Sequence, residues 1–460
     1  MSRILTWIRS PALPPPEPLP RWLDRSLIVA LTLLGFFLPW TPAGVSIMLA
    51  VLSLLALLAA PKIWRSAPWR DPIIAVGLAL LLYITLHTLW VSGFTPAAGR
   101  AINGYHELLM AAILLPLFRL VSQPHWFFRA MVLGAIAYAA THWMALFIPA
   151  LAVALGSRRI SAGLCLLLVA FVLTELARSH PRPWPARIAA AFLGATVLFA
   201  IDGRTGHVVL LMLTALVAWN HSSKHWRWAA LVAAPVAMLS LSLGSSAVQH
   251  RVAETIAGSA KGANGELTST GVRIELVRGG LALAAQHYAT GAGFARYGDV
   301  NRQSVTARHG PEAVRQKLHW AVANNPHSEF VMQIVGGGVA AFSLFIVWLV
   351  LPALRWKNGH VNHALIGLAL AFAVGCALNS MLRDFVEGHF YVALLVWLLA
   401  RPTAPTHTNN GPCNACFNVP ADPAARQAAP AAQSHACPAN PHTALRSSST
   451  TQAAWLSVQP

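Results

Sequence analysis

Twelve apolar stretches of membrane-helix character fill the chain between residues 25 and 400, and no other feature limits its fold as strongly. They run at about 25–39, 42–60, 72–92, 100–121, 127–148, 159–178, 186–201, 205–219, 227–244, 329–352, 361–382 and 386–400. A spanning helix takes roughly 20 apolar residues, and several of these are shorter. Charged residues are only 10% of the chain against 56% hydrophobic, where a soluble domain carries about 25% charged. Such a chain cannot cover itself with solvated groups, so the composition excludes a water-soluble protein. The formal charge of +18 would suggest nucleic acid in a soluble protein. Here it speaks first of topology, and no nucleic-acid partner is expected. Five cysteines, three of them in the last fifty residues, give no disulfide framework.

Lys and Arg placement orients the bundle. With the N-terminus in the cytoplasm, the inner segments and the tail hold 19 basic residues and the outer side 14, nine of these in one long loop. Long loops translocate regardless of charge. The short outer loops hold only Arg100, Arg158, Arg159, Arg204 and Arg383, so both termini are expected to be cytoplasmic. The expected organisation is a proline-rich cytoplasmic segment (1–24), helices one to nine (25–244), a large outer loop (245–328), helices ten to twelve (329–400) and a disordered cytoplasmic tail (401–460). The start has no short apolar run with a cleavage site and does not read as a signal peptide. Cys413, Cys416, His435 and Cys437 lie in the tail, but their spacing and structureless surroundings argue against a zinc site.

The long loop carries nine basic and five acidic residues. A basic outer segment runs against the positive-inside preference, which points to an anionic ligand at the outer leaflet. Attraction to lipid headgroups is the alternative. Arg158 and Arg159 read the same two ways.

Three motifs stand out. Asp202-Gly203-Arg204-Thr205-Gly206 ends the seventh stretch and opens the eighth, with Thr205 or Asp202 expected to cap the new helix. Arg204 beside the amides of a helix N-terminus suits a phosphate; an Arg204–Asp202 pair closing a hairpin is the alternative. In Gly271-Val272-Arg273-Ile274-Glu275-Leu276-Val277-Arg278, the helical period puts Arg273, Leu276, Val277 and Leu281 on one face. Glu275 is expected to neutralise Arg278 and leave Arg273 the freer cation, although a solvated amphipathic helix fits the segment equally. Gly291-Ala292-Gly293 reads as a turn, with no strand–helix unit that would make it a nucleotide loop.

Asn324-Asn325-Pro326-His327-Ser328-Glu329-Phe330 opens the tenth helix, with Asn325 as expected N-cap and Pro326 at the first helical position. His327 would then project from the first turn at the outer interface, placed for proton transfer near neutral pH. A hydrogen-bonded surface histidine is the alternative. Ser328 and Glu329 are candidates to orient the imidazole or bind a sugar hydroxyl. Phe294, Tyr297, Trp320 and Phe330 are candidates to stack on sugars. Arg383, Asp384 and Glu387 either extend the site or pair with one another.

Arginine at a glycine-broken helix end, arginine early in one large outer loop and Asn-Pro-His-Ser-Glu-Phe at its close resemble the bacterial O-antigen ligases. That superfamily also holds O-antigen polymerases and protein O-oligosaccharyltransferases. The resemblance covers roughly residues 25–400 and implies an all-α polytopic membrane protein of the GT-C glycosyltransferase type, with about 12 transmembrane helices and one large periplasmic loop. It implies a bacterial inner-membrane enzyme that moves O-antigen polysaccharide from undecaprenyl diphosphate to lipid A–core at the periplasmic face. His327, Arg204 and Arg273 would be catalytic. Arg204, Arg273, Arg278, Asn325, Ser328 and Glu329 would contact diphosphate or sugar, amid membrane lipids. No cofactor or metal is expected, since no outer carboxylate pair is spaced to hold Mg²⁺ and phosphate neutralisation falls to arginine. Polymerases commonly show two substantial periplasmic loops where this chain has one. A lipid or sugar transporter is the reading from another class; Glu107, Glu175, His87 and His142 are its few candidates at membrane depth.

Overall fold

The computed structural model describes residues 17–156, 158–201, 203–243, 249, 269–316, 322–355 and 360–401. The tail after residue 401, residues 244–248 and 250–268 at the start of the long loop, Asp202 and Trp320 lie outside the described residues.

Every described regular element is helical. The helices that build the bundle are α1 (Arg21–Phe37), α2 (Pro42–Leu58), α3 (Pro72–Ser92), α4 (Pro96–Asn103), α5 (Glu107–Leu120), α6 (His125–Ala145), α7 (Arg159–Ala177), α8 (Trp184–Phe199), α9 (Arg204–His221) and α10 (Arg227–Leu243). Within the long loop lie α11 (Ser269–His287) and α12 (Tyr297–His309), followed by α13 (Glu329–Leu354), α14 (His360–Leu378) and α15 (Phe385–Ala400). Among the described residues, five helices are long and apolar enough to cross a membrane, or six if Pro42–Leu58 and Ala60–Arg70, bent by 81°, count as one span. The molecule is a helical, polytopic membrane protein. Each of the other expected stretches also holds a helix, several of them short: Trp184–Phe199, Arg227–Leu241 and Phe385–Ala400 have 10–17 residues.

Helix starts follow local chemistry. Thr41, Asp71 and Thr95 each precede a proline, and each side chain accepts a backbone N–H of the following first turn, as in Asp71 Oδ1 from Ile73 N–H at 3.0 Å. The proline supplies a preset φ where no amide donor is needed. Asp71 also receives the Arg355 guanidinium, and both residues are buried at the end of the bundle remote from the motifs.

The core lies around the last three helices. From Glu387 to Leu399 every residue of α15 is buried, and Tyr391 stacks on Phe372 of α14 with ring centroids 3.8 Å apart. Trp348 of α13 meets both rings edge-on. Where α7 crosses α9, Gly163 faces Gly206, and a Cβ on Gly163 would lie 3.2 Å from the Gly206 Cα. Gly206 therefore permits close helix approach, as small residues do inside membranes.

Two expected helices are interrupted. The stretch at 100–121 is two helices, α4 and α5, separated by Gly104-Tyr105-His106. α13 is broken at Gly338, whose φ of +66° and ψ of −165° no helix contains. The freed backbone groups there are taken up by the Gly291-Ala292-Gly293 turn: Ala292 N–H donates to Val335 O at 2.7 Å, Gly293 N–H to Gly336 O at 2.9 Å, and Val339 N–H to Tyr288 O at 2.7 Å. Tyr83 of α3 adds its hydroxyl to Gly337 O at 2.7 Å. Part of the long loop thus inserts beside α13, about 12 Å along it from Glu329. Irregular backbone is tolerated at such a position only when protein satisfies it.

Candidate active site

His327 does not lie in a helix. α13 begins at Glu329 with Ser328 as N-cap, and His327 precedes it with left-handed backbone, φ +51°. The expected cap, Asn325, instead closes an Asx turn by accepting His327 N–H on Oδ1 at 3.0 Å. The same oxygen accepts the Ser380 hydroxyl at 2.5 Å, which ties the turn to the segment between α14 and α15. Upstream, Asn301 Nδ2 donates to Ala323 O at 3.0 Å, so α12 holds the chain leading into the motif. His327 is exposed at the end of this braced segment. A left-handed conformation is costly for a non-glycine residue and persists where its surroundings enforce it.

Ser328 and Glu329 turn away from the imidazole. Ser328 Oγ donates to Cys376 O at 3.5 Å, and Glu329 is fully buried. Glu329 Oε1 accepts the Tyr105 hydroxyl at 3.1 Å and Gln333 Nε2 at 2.7 Å. The break at Gly104–His106 is what brings Tyr105 inward to this carboxylate.

Arg204 is the first residue of α9, as its motif suggests, but the cap differs from expectation. Gly203 is the N-cap and supplies no side-chain acceptor. Thr205 is inside the helix and buried, and its Oγ1 accepts Asn379 Nδ2 at 3.1 Å. Asn379 O in turn accepts Glu329 N–H at 3.3 Å. The segment 379–384 therefore joins the Arg204 motif to the His327 motif, and both lie at one end of the bundle.

The Arg273 segment is helical within α11, which packs on α13 through Gly280 and Val331. The Arg273 side chain lies outside the described residues; its backbone is seven residues, about 10 Å, before Gly280 along the helix. Leu276 is buried while Val277 and Leu281 are 51% and 61% exposed, so this side of the helix is only partly packed against the protein. Glu275 is not the partner of Arg278. Its Oε1 receives Arg308 Nη1 at 2.8 Å and His309 Nε2 at 3.0 Å from α12, because the interhelical pair reaches the buried carboxylate while Arg278 stays exposed.

Arg383, Asp384 and Glu387 do not pair with one another. Glu387 accepts the Ser161 hydroxyl at 2.6 Å, and Arg383 Nη1 points at Met332 Sδ, 3.3 Å away. The buried Arg383 Nε has no hydrogen-bond partner among the described residues. Arg383 acts electrostatically on Glu329, Tyr105, Tyr297 and Asp384, which places one cation at the middle of the cluster. Burial pushes the Asp384 carboxyl above the usual aspartate value, while Arg383 and His327 pull it back. Burial likewise raises the Tyr297 phenol. Phe294 and Tyr297 are buried and Phe330 packs on Phe345, so these rings build the protein instead of offering open sugar platforms. Arg158 donates to Trp40 O at 3.0 Å. Sequence reasoning missed Tyr105 and Asn379 as members of the cluster.

Chemically, this end presents an exposed imidazole within electrostatic reach of a carboxylate, arginines on two separate elements and a helix N-terminus. Those are parts for proton transfer next to an anionic leaving group. The class so defined is a polytopic membrane protein with an interfacial polar site. Residues 189–346, which hold Arg204, Arg273 and His327, match the family model for O-antigen ligase. Members of this family are glycosyltransferase-like membrane enzymes of the inner membrane. No curated protein matches the chain.

Proposed function

We propose that this protein is an O-antigen ligase, transferring O-antigen polysaccharide from undecaprenyl diphosphate to lipid A–core at the periplasmic face of the inner membrane. The observation that carries the reading is the junction of the Arg204 and His327 motifs through Asn379 and Ser380, both motifs lying within the segment that matches the family. The bundle is read as twelve spans of GT-C type with both termini cytoplasmic, helices shorter than 18 residues being accommodated by local thinning of the bilayer.

In this mechanism an acceptor hydroxyl of the core attacks the anomeric carbon of the donor. The carbon–oxygen bond to phosphate breaks, undecaprenyl diphosphate leaves, and the hydroxyl proton passes to His327. One displacement inverts the anomeric configuration. Asn325 fixes the backbone of His327, and Asp384, within electrostatic reach of the imidazole, stabilises it once protonated. Arg204, at its helix N-terminus, and Arg273 or Arg278 neutralise the charge that develops on the diphosphate, which is worth about 10²–10³ in rate per contact. Arg383 is the further cation of this site. Confinement of both lipid-linked substrates to one leaflet supplies proximity. Ser328 and Glu329 act as supports for the helix start. Arg158, on Trp40, is read as an anchor at the lipid headgroups.

The experiment is complementation of a ligase-deficient, smooth-type bacterium, with lipopolysaccharide separated on a gel. The reading expects long O-chains on lipid A–core with the native chain and none with His327→Ala at equal protein level. A lack of ladder from both, alongside restored chain length in a polymerase-deficient strain, would transfer the reading to the polymerase of the same superfamily.

A further inference from the structure

A second set of polar side chains lies one helix start away from His327 and takes no part in the proposed chemistry. His106 and Glu107, at the break before α5, meet His389 of α15, and one ligand-type atom of each lies within 4.8 Å of the other two. Glu107 is 2% exposed and His389 3% exposed. Glu107 Oε1 and His389 Nε2 have no hydrogen-bond partner among the described residues. Two buried polar atoms left unmatched beside each other are costly, unless something between them satisfies both.

The tautomers identify what that something is. His106 Nδ1 faces Asn103 O at 2.6 Å and His389 Nδ1 faces Phe385 O at 2.7 Å. A carbonyl oxygen only accepts, so both rings carry their proton on Nδ1 and keep a lone pair on Nε2; His106 Nδ1 also stands 3.8 Å from Glu107 Oε2. An Nδ1–H held by a backbone carbonyl is the usual support of a metal-bound imidazole. Gly388 makes room for the carboxylate: a Cβ there would lie 3.3 Å from Glu107 Cδ. His106, with 32% of its side chain exposed, leaves an entry path.

We propose that His106, Glu107 and His389 bind one divalent transition metal of the zinc class. Two imidazole nitrogens, one carboxylate oxygen and a water complete a tetrahedron. Ligand atoms in such a site stand about 3.3 Å apart at metal–ligand distances of about 2.0–2.1 Å. Binding therefore draws the three inward, with the partly exposed His106 moving most. The ion ties α5 to α15, next to Tyr105 and its bond to Glu329. Its role is structural and separate from glycosyl transfer. In a comparable grouping, Glu175 with His360 and His363, the carboxylate already has donors, Arg178 and Asn220, and Arg178 also points at His363, although His360 Nδ1 has no partner among the described residues.

The test uses the full-length protein without a polyhistidine tag, in detergent, stripped with a chelator and titrated with Co²⁺ as the spectroscopic probe and with Zn²⁺ for stoichiometry. Cobalt on Cys413, Cys416 or Cys437 would give sulfur-to-metal charge transfer, whereas a nitrogen–oxygen site gives d–d bands alone. The expected result is about one such cobalt per chain, affinity at least tenfold weaker in Glu107→Gln and His389→Ala, and no change in His363→Ala. Zinc should also raise the thermal midpoint of the native chain and leave that of Glu107→Gln unmoved. Glu107→Gln preserves shape, so it reports even if His389→Ala does not fold. Absence of the d–d bands, or affinity unchanged in a monodisperse Glu107→Gln protein, would overturn the proposal.

Discussion

Asn379 Nδ2 donates to Thr205 Oγ1 at 3.1 Å, joining positions 174 residues apart in the chain. Both partners are buried. Thr205 adjoins Arg204, and Asn379 adjoins Ser380, which holds the Asn325 turn beneath His327. One hydrogen bond thus sets how the proposed phosphate contact stands relative to the proposed base.

Breaking it should therefore cost rate as well as stability. Asn379→Ala leaves a buried hydroxyl unmatched, a penalty of about 1–3 kcal/mol. Ligation is expected to fall about tenfold or more, since a small misplacement of reacting groups is expensive. Thr205→Val should behave alike. The double variant should be little worse than either single one, which a double-mutant cycle on the ligation rate measures.

Asp384 gives a pH signature. Its carboxyl is raised by burial beyond what Arg383 and His327 offset. A carboxyl raised in the folded state contributes stability that is full below its unfolded value and is lost as pH climbs through the folded value. Native protein should therefore lose thermal stability from about pH 4 upward, and Asp384→Asn should flatten that decline. Activity should move the other way. The native rate falls as acid protonates Asp384, at a pH above the ordinary aspartate range, and Asp384→Asn stays low throughout. Thermal midpoints and ligation rates across one pH series test both halves.

At the opposite end of the bundle, Asp71 caps α3 and receives Arg355 in a buried pair. Asp71→Ala strands the guanidinium and removes the cap, an expected loss of about 3–5 kcal/mol. The amount of folded protein and its half-life on heating should drop, whereas the rate per folded molecule should hold. Thermal inactivation, normalised to active protein, separates the two.

Gly338 sits at the break of α13 with φ +66°, and a Cβ there would lie 2.5 Å from Ala289 O. Gly338→Ala should expel the Tyr288–Gly293 turn from its place against α13. Protease accessibility of residues 288–293 should rise, and ligation should fall because α12 no longer braces the approach to His327. A variant as protected and as active as the native chain would show that the turn is not held there.

The sequence made the helices legible because apolar length and proline or glycine punctuation are local signals, as at Thr41-Pro42 and Asp71-Pro72. Arg204 was legible at its helix start for the same reason. Asn325 was misplaced as a cap because an Asx turn and an N-cap use the same side-chain oxygen on an amide two residues on, and they differ only in the backbone that follows. Glu275 looked satisfied by Arg278 three residues away, yet the partner came from α12. Tyr105 lies 224 residues from Glu329, a separation that no local pattern encodes. The break at Gly338 was hidden because nothing local sets glycines in an apolar helix apart, and only the incoming turn makes use of them.

His327 and Arg204 are proposed to act together in transferring a lipid-linked glycan to lipid A–core. The most direct measurement is ligation by the purified protein in detergent, with isolated donor and lipid A–core and no ion gradient, followed by the shift of the core to a glycan ladder. Transfer by the native chain is expected, with a loss of about 10²–10⁴ in His327→Ala and of about 10²–10³ in Arg204→Ala. Full transfer by both variants would contradict the assignment of the site. No transfer by a folded native chain, on a core that an established ligase accepts, would contradict the function.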